Sequence, residues 1–403
     1  MEDGNRRGVS RMDALFKLTD DWEALLHHPT LVPFGMGRIG RRVLPSLRKE
    51  FDIPFLIDNR HAGEEIAGLA VVSLADALQR IGRGKTKIVV TTMKGAYEEM
   101  AEELRAAGLE EFRDFCIFER FAEEWHLRWK NECVLAKIDT VITSRCTLQC
   151  KNCNMFIPYA KETGDFAFER LKETFDAFFA SVDFVYEYTL LGGEPFLHTE
   201  LGRILRYLME RYGERIGRIN LISNGTVVPN DALLSFMKQH DMTVHISDYT
   251  STVDYKKRLA AVEQALAAHG IEYYVIPNNV WKDVVYPRDT YRAADPAEHM
   301  RICGHSTHSV DDGKLYWCDP AFAAECFTGF PSQPDDFLDL RENQRVNDKY
   351  QASLQIFRYL LGDVNERGCM SICERCAGIG RDNNIIVKAG VQVGKEDDPI
   401  DVR

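Results

Sequence analysis

The sequence predicts an α/β protein in three parts, and three observations carry that prediction. Near residue 31 a short apolar run enters a G-x-G-x-x-G turn that opens a helix. A second apolar run ending in an acid follows, which is the β-turn-α-β order of a nucleotide-binding sheet. From residue 136 to 276, β-branched runs alternate with amphipathic helical stripes, the pattern of an α/β domain. Beyond about residue 296 this alternation stops and cysteines crowd in, six of the chain's eleven. The parts are drawn at 1–125, 130–295 and 296–403.

In the first part, Leu31-Val32-Pro33-Phe34 reads as a strand leading into Gly35-Met36-Gly37-Arg38-Ile39-Gly40. Ile39, Val43, Leu44 and Leu47 keep helical spacing, and residues 53–57 read as the next strand. It ends in Asp58, where an acid holds a ribose 2′-hydroxyl in dinucleotide folds. Gly35, Gly37, Gly40 and Asp58 are therefore candidate nucleotide-binding residues. The same glycines serve equally for a tight turn and close helix packing without a ligand, so both readings stand. Residues 87–91 and 115–118 read as later strands, with a helix at about 97–107 closed by Gly108. Pro33 and Pro45 interrupt a regular strand and helix, which weakens a cofactor reading more than the Rossmann-like fold itself.

In the second part, strands are expected at 136–143, 186–191, 219–223, 243–247 and 273–276. Between them, Phe168, Leu171, Phe175 and Phe178 share one helical face. Thr199 is placed to cap a helix carrying Leu201, Ile204, Leu205 and Leu208, and Asn230 one carrying Leu233, Leu234 and Met237. Leu259, Val262 and Leu266 face one way on a helix from about residue 254, with Gly270 placed to end it.

Composition narrows the function. The chain has 403 residues, 45% of them hydrophobic, enough for two or three cores. Its net charge is −12, from 50 Lys and Arg against 62 Asp and Glu, and no long basic block offers a phosphate track. Nucleic acid is not an expected partner. No apolar segment near the start resembles a secretory signal, and none later is long enough to span a membrane, so a cytoplasmic protein without membrane contact is expected. In that setting the cysteines read as metal ligands and buried thiols rather than disulfides.

The chemistry centres on Thr143 to Pro158, which holds Cys146, Cys150 and Cys153 at the spacing C-x3-C-x2-C. Soft thiolates select zinc, copper(I) or iron–sulfur clusters, and the run supplies three where structural zinc takes four. Leu190-Leu191-Gly192-Gly193-Glu194-Pro195 follows, then Ile222-Ser223-Asn224-Gly225-Thr226 and Val244-His245-Ile246-Ser247, each closing an apolar run. In these motifs and their order the chain resembles the radical SAM superfamily. The resemblance implies a partial (β/α)6 barrel with the motifs at the C-terminal strand ends. It also implies a [4Fe–4S] cluster on Cys146, Cys150 and Cys153, whose open iron chelates S-adenosylmethionine. Reductive cleavage then yields a 5′-deoxyadenosyl radical that abstracts a substrate hydrogen. Gly192 and Gly193 are expected to let carbonyls approach the methionine ammonium, with Glu194 orienting it. Asn224 and Ser247 would face the ribose hydroxyls, with ordinary turn capping as the alternative. Substitution of Gly193 by a bulky residue is expected to weaken cofactor binding and leave the cluster in place. The chain departs from the family at Asn152, where an aromatic residue often precedes the third cysteine near the adenine.

His245, Asp248 and Tyr249, around Ser247, are candidates for substrate contact or proton transfer, a purely structural role being the alternative for each. Cys303, Cys318, Cys373 and Cys376 resemble the auxiliary-cluster (twitch, or SPASM-like) domain of a radical SAM subgroup, implying one further [4Fe–4S] cluster. Zinc suits two cysteine pairs as well, and Cys369 stands as an alternative to Cys373. His305 and His308 are expected as outer-shell or exposed groups, and Cys116, Cys133 and Cys326 as small buried hydrophobes. The first part resembles Rossmann-like domains attached to bacterial surface-sugar enzymes, which implies a sugar or sugar-nucleotide substrate. An electron donor such as flavodoxin or ferredoxin is the implied partner. A radical SAM peptide maturase and a zinc-stabilised binding protein are the competing readings.

Overall fold

The computed structural model describes residues 15–81, 86–92, 94–304 and 307–394. The chain divides into two compact units, Met1–Ala136 and Lys137–Arg403.

The first unit is built on a six-stranded sheet. Its strands are β1 (Leu31–Phe34), β2 (Leu56–Ile57), β3 (Glu65–Ile66), β4 (Leu69–Val72), β5 (Lys87–Val90) and β6 (Phe115–Ile117), in the order β3-β4-β2-β1-β5-β6. β4, β2, β1, β5 and β6 pair in parallel, and β3 turns back antiparallel on the edge. Val32, Phe34, Ile57, Val72, Ile88, Val90 and Phe115 from the strands pack with Ala101 and Leu104 of the helix Lys94–Ala106. Near-continuous apolar strands of this kind are what a sheet covered on its faces requires. Pro33 lies within β1, and Pro45 sits on the exposed side of the helix Arg38–Glu50.

The second unit is an open barrel. Its strands are β7 (Val134–Thr143, entering from the first unit's end), β8 (Phe184–Gly192), β9 (Ile216–Ser223), β10 (Thr243–Asp248) and β11 (Glu272–Pro277), adjacent in chain order. The helices Phe168–Ser181, Leu201–Tyr212, Asp231–Gln239 and Lys256–Ala268 fill the four crossovers. Leu171, Phe175, Phe178, Ile204, Leu208, Leu234, Val262 and Leu266 are buried, as their helical spacing requires. β12 (Val280–Lys282) leaves this sheet to pair with β16 (Ile386–Lys388). β13 (Ser309–Asp311) lies parallel to β7, and β14 (Lys314–Tyr316) and β15 (Phe337–Asp339) continue the sheet antiparallel. The last hundred residues thus share the barrel's sheet.

Two local expectations need correction. Thr199 does not cap its helix; its N–H and hydroxyl both bond Asp165 Oδ2 at 3.1 Å, and Glu200 precedes the first turn without a side-chain cap. The last crossover helix begins at Lys256. Asn230 does cap, accepting from Leu233 N at 2.9 Å, and Gly270 ends its helix at φ +64°. Among the described residues no helix is long and apolar enough to cross a membrane.

Candidate metal and cofactor centre

The cysteine loop leaves β7 at Thr143 and is gripped by the end of β8. Gly193 N donates to Thr143 O at 2.9 Å and Glu194 N to Arg145 O at 2.7 Å. A Cβ on Gly192 would lie 2.2 Å from Thr143 O, and one on Gly193 2.2 Å from Arg145 O and 2.9 Å from Cys146 Cβ. Two residues without side chains are therefore needed here for the loop to seat against the strand. The carbonyls that these glycines admit belong to the cysteine loop. Arg145 fastens the loop's other side, donating to Asp165 Oδ2 at 3.0 Å and Leu197 O at 2.9 Å.

Each of the three sulfurs receives N–H donors. Leu148 N reaches Cys146 Sγ at 3.4 Å and Asn224 Nδ2 reaches it at 3.5 Å. Gln392 Nε2 lies 3.4 Å from Cys150 Sγ. The backbone N–H groups of Ile157, Met155 and Phe156 serve Cys153. Burial pushes the Cys146 thiol up to about 12 and the Cys150 thiol up to about 11, with neighbouring thiols adding to the effect. Three such groups ionise together only around a cationic centre, and the donors then face thiolate sulfur as they do in iron–sulfur proteins. The residues therefore fit a three-cysteine cluster. Among the described residues no group of three or more His, Cys, Asp or Glu is assembled around a single metal ion.

Behind the loop, Glu194 is fully buried and accepts from Ser223 Oγ at 3.0 Å, Asn224 N at 2.8 Å and Phe196 N at 3.2 Å. Burial raises its pKa to about 7 against the pull of these donors. Asn224 Oδ1 accepts from Thr226 N and Oγ1, while both amide hydrogens go to the cysteine loop, at Thr147 Oγ1 (3.0 Å) and Cys146 Sγ. The ends of β7, β8 and β9 are thus one hydrogen-bonded assembly. Ser223, which closes it, carried no signal beyond its place in the third motif.

On β10, His245 and Ser247 share a face, and Ser247 bonds the Tyr249 hydroxyl. Tyr249 packs edge-on to Trp281 at 5.3 Å, and burial raises its pKa, with Cys153 and Cys150 adding to the rise. It is therefore a neutral phenol beside the cysteine loop. Asp248 instead holds its own turn, accepting from Thr250 N at 2.7 Å. His245 lies two residues back along the strand, level with Ile222 and Tyr274. Asn152, in the position that departs from the family, donates to Asp283 Oδ2 at 2.9 Å and ties the loop to the segment after β12.

The second cysteine set gathers from distant segments. Cys303 follows the helix Pro296–Ile302, Cys318 follows β14, Cys373 lies in the turn Ser371–Glu374, and Cys376 comes just after that turn. Burial raises the Cys318 thiol, followed by the charges of Cys373, Cys376 and Cys303. Cys376 is pushed up to about 12, chiefly by burial with Cys303 adding, and accepts from Gly378 N at 3.4 Å. Cys369 is flanked by Arg367, Glu374, Asp336 and Asp295, and its charge adds to the burial-driven rise of the Cys373 thiol ahead of that of Cys303. His299 was not singled out by sequence, yet its Nε2 and Cys303 Sγ both pack against Gly378, and its Nδ1 lies 3.0 Å from Asp382 Oδ2. His308 Nδ1 lies 2.7 Å from Trp317 O, and His305 falls outside the described residues. Cys116 and Cys133 are buried, while Cys326 is partly exposed and meets Arg170 Nη2 at 3.6 Å.

In the first unit, Gly35 adopts φ +101° and a Cβ on Gly40 would lie 2.1 Å from Gly35 O. Both glycines serve the turn and the close helix approach; Gly37 alone of the three faces open space. Asp58 ends β2 and accepts from Met36 N at 2.7 Å, Arg60 N at 2.9 Å and His61 N at 3.2 Å. Burial works to raise its pKa, and these bonds with the His61 ring outweigh it and hold the carboxyl below its usual range.

The strand ends of this α/β barrel thus carry a loop of three cysteines whose thiols burial keeps protonated. Residues 140–283 match the family model of the Radical SAM superfamily. No curated protein sequence matches the chain. Among solved structures, it is similar to BtrN in complex with AdoMet and 2-DOIA (15% identity, TM-score 0.36, covering 60% of this chain and 93% of that one). It is likewise similar to native anSMEcpe with bound AdoMet (14%, 0.39, 61% and 89%) and to Streptococcus suis SuiB bound to precursor peptide SuiA (15%, 0.29, 45% and 44%). Over anSMEcpe with bound AdoMet and Cp18Cys peptide, at 18% identity and TM-score 0.28, the match covers 35% of this chain and 42% of that one.

Proposed function

We propose that the enzyme cleaves S-adenosylmethionine reductively and uses the 5′-deoxyadenosyl radical to abstract hydrogen from a sugar or nucleotide-linked sugar, leading to dehydrogenation, dehydration or epimerisation. The observation that carries the radical step is the set of N–H donors placed on all three sulfurs of Cys146, Cys150 and Cys153. A [4Fe–4S] cluster held by Cys146, Cys150 and Cys153 would supply the one electron that cleaves the sulfonium of S-adenosylmethionine. The chain's own task is positional. Gly192, Gly193 and Glu194 fix the loop against β8, and Asn224 holds it from β9. Tyr249, kept protonated by burial, offers a hydroxyl beside the same loop, with Ser247 as its partner. Cys303, Cys318, Cys373 and Cys376 hold an auxiliary [4Fe–4S] cluster in this reading, and a flavodoxin or ferredoxin supplies the electron.

The sugar reading is supported by the parallel sheet and glycine turn of Met1–Ala136, where Gly37 faces open space at a helix N-terminus suited to a diphosphate. Anaerobic reconstitution followed by dithionite and S-adenosylmethionine tests the radical step. We expect 5′-deoxyadenosine from the wild type and none from the triple Cys→Ala variant of the loop. Continued formation by that variant would sink the assignment. A panel of sugar nucleotides and peptides, scored by deuterium transfer into 5′-deoxyadenosine, tests the substrate class; transfer from peptides alone would make the enzyme a peptide maturase.

A further inference from the structure

We propose that Gln392 tunes the reduction potential of the barrel cluster: its side-chain amide, locked in one orientation, donates a hydrogen bond to the sulfur of Cys150. The inference rests on the reading that Cys146, Cys150 and Cys153 hold that cluster.

After β16 the chain runs back along the cysteine loop and pairs with it. Lys151 N donates to Val391 O at 2.7 Å and Val393 N to Gln149 O at 2.8 Å, bracketing an antiparallel bridge between Cys150 and Gln392. The Gln392 side chain folds into this bridge. Its Oε1 accepts from Gln149 N at 2.6 Å, and its Nε2 donates to Gly390 O at 2.7 Å and to Cys150 Sγ at 3.4 Å. A flipped amide would set its oxygen against a carbonyl and its NH2 against an N–H, so the neighbours fix which end meets the sulfur. Cys146 and Cys153 take donors from residues at or near the strand ends and from the loop itself, whereas Cys150 is served by a residue 242 positions away.

An N–H bonded to a cluster thiolate draws electron density from it and favours the more electron-rich, reduced state. Gln392 therefore raises the potential at which the barrel site accepts its electron, and it acts through Cys150 as a positioning residue.

The test uses the full chain, reconstituted anaerobically, with Gln392→Leu and the near-isosteric Gln392→Glu. The readout is an EPR-monitored redox titration of the signal that changes when S-adenosylmethionine is added, with iron content and circular dichroism measured on the same samples. Gln392→Leu is expected to keep full iron and to titrate at a more negative potential. A tenfold lower reduced-to-oxidised ratio at a fixed potential corresponds to a 59 mV shift for one electron. Gln392→Glu is expected to shift at least as far, because a carboxylate keeps the bond from Gln149 N, cannot donate to the sulfur and adds negative charge. Wild-type midpoints in both variants at full iron would overturn the proposal. So would loss of iron with native circular dichroism, since the side chain would then be holding the loop rather than tuning it. If the triple Cys→Ala variant kept the cofactor-responsive signal, the underlying cluster reading would fail instead.

Discussion

Replacing Gly193 with alanine tests how the cofactor motif works. The added Cβ would stand 2.2 Å from the Arg145 carbonyl oxygen, 2.6 Å from its carbon and 2.9 Å from Cys146 Cβ. Ordinary contact is about 3.5 Å, so the loop must retreat by roughly 1 Å, and the obstructing atoms are mostly backbone that no rotamer change can move. Retreat strains the bonds from Gly193 N to Thr143 O and from Glu194 N to Arg145 O. At about 1 kcal/mol each, with overpacking at about 1–3 kcal/mol, the cost is roughly 3–5 kcal/mol. Because Cys146 is among the displaced residues, cluster loading is expected to fall before cofactor affinity does, the reverse of the order that sequence motifs suggest. Gly202→Ala is the control. It lies in the helix Leu201–Tyr212 with nothing within 4 Å of its Cβ position, and gains up to about 1 kcal/mol in helix propensity. Thermal melts and iron analysis after anaerobic reconstitution compare the two. At about 2 °C per kcal/mol, Gly193→Ala is expected to melt roughly 6–10 °C lower. A wild-type melt and full iron uptake in Gly193→Ala would refute the reasoning.

If both cysteine sets hold [4Fe–4S] clusters, reconstituted protein carries about eight irons, and the double variant Cys146→Ala, Cys150→Ala about half of that. Zinc at full occupancy in the C-terminal set would count against the second cluster. Glu194 predicts a pH dependence. Its folded pKa, about 7, lies above its ordinary value of 4.5, so between these values the folded chain keeps a proton that the unfolded chain has lost. Stability from this group is full below about pH 4.5 and is lost as pH rises through about 7, by up to roughly 3 kcal/mol. The melting temperature of Glu194→Gln is expected to lack that slope between pH 5 and 8, and a parallel slope in both proteins would remove the assignment. Gly37→Val is expected to raise the KM of a sugar-nucleotide substrate while leaving uncoupled cleavage of S-adenosylmethionine unchanged, measured as 5′-deoxyadenosine formed without substrate.

What the sequence made legible follows from range. The alternation of β7 to β11 with four helices was readable because each element carries its own period, and Asn230 caps a residue three positions on. Thr199 failed as a cap because Asp165, 34 positions earlier, takes both of its donors. The hairpin of β3 and β4 escaped because one of its strands has two residues, too few to show a period. Gln392 and His299 escaped for another reason. Each acquires its place beside a cysteine through folding, and neither stands in a local pattern that separates it from an ordinary surface glutamine or helix histidine.

The two glycine motifs, one in each unit, make the same physical statement. Gly40 admits the carbonyl of Gly35, and Gly192 and Gly193 admit those of Thr143 and Arg145; in each case a Cβ would collide at 2.1 to 2.2 Å. The acid of each motif is likewise engaged with backbone N–H groups, Asp58 with Met36, Arg60 and His61, and Glu194 with Asn224 and Phe196. Such a motif first specifies how closely two backbone segments approach, and ligand contact depends on the groups left over. In the barrel the approach fixes a loop that carries three thiols, so a reactive group is delivered by the packing itself. In the first unit it fixes a turn whose open position is Gly37, so recognition there must come from backbone N–H groups and the helix N-terminus. That difference is why cysteine variants are the decisive test of the second unit and Gly37→Val of the first.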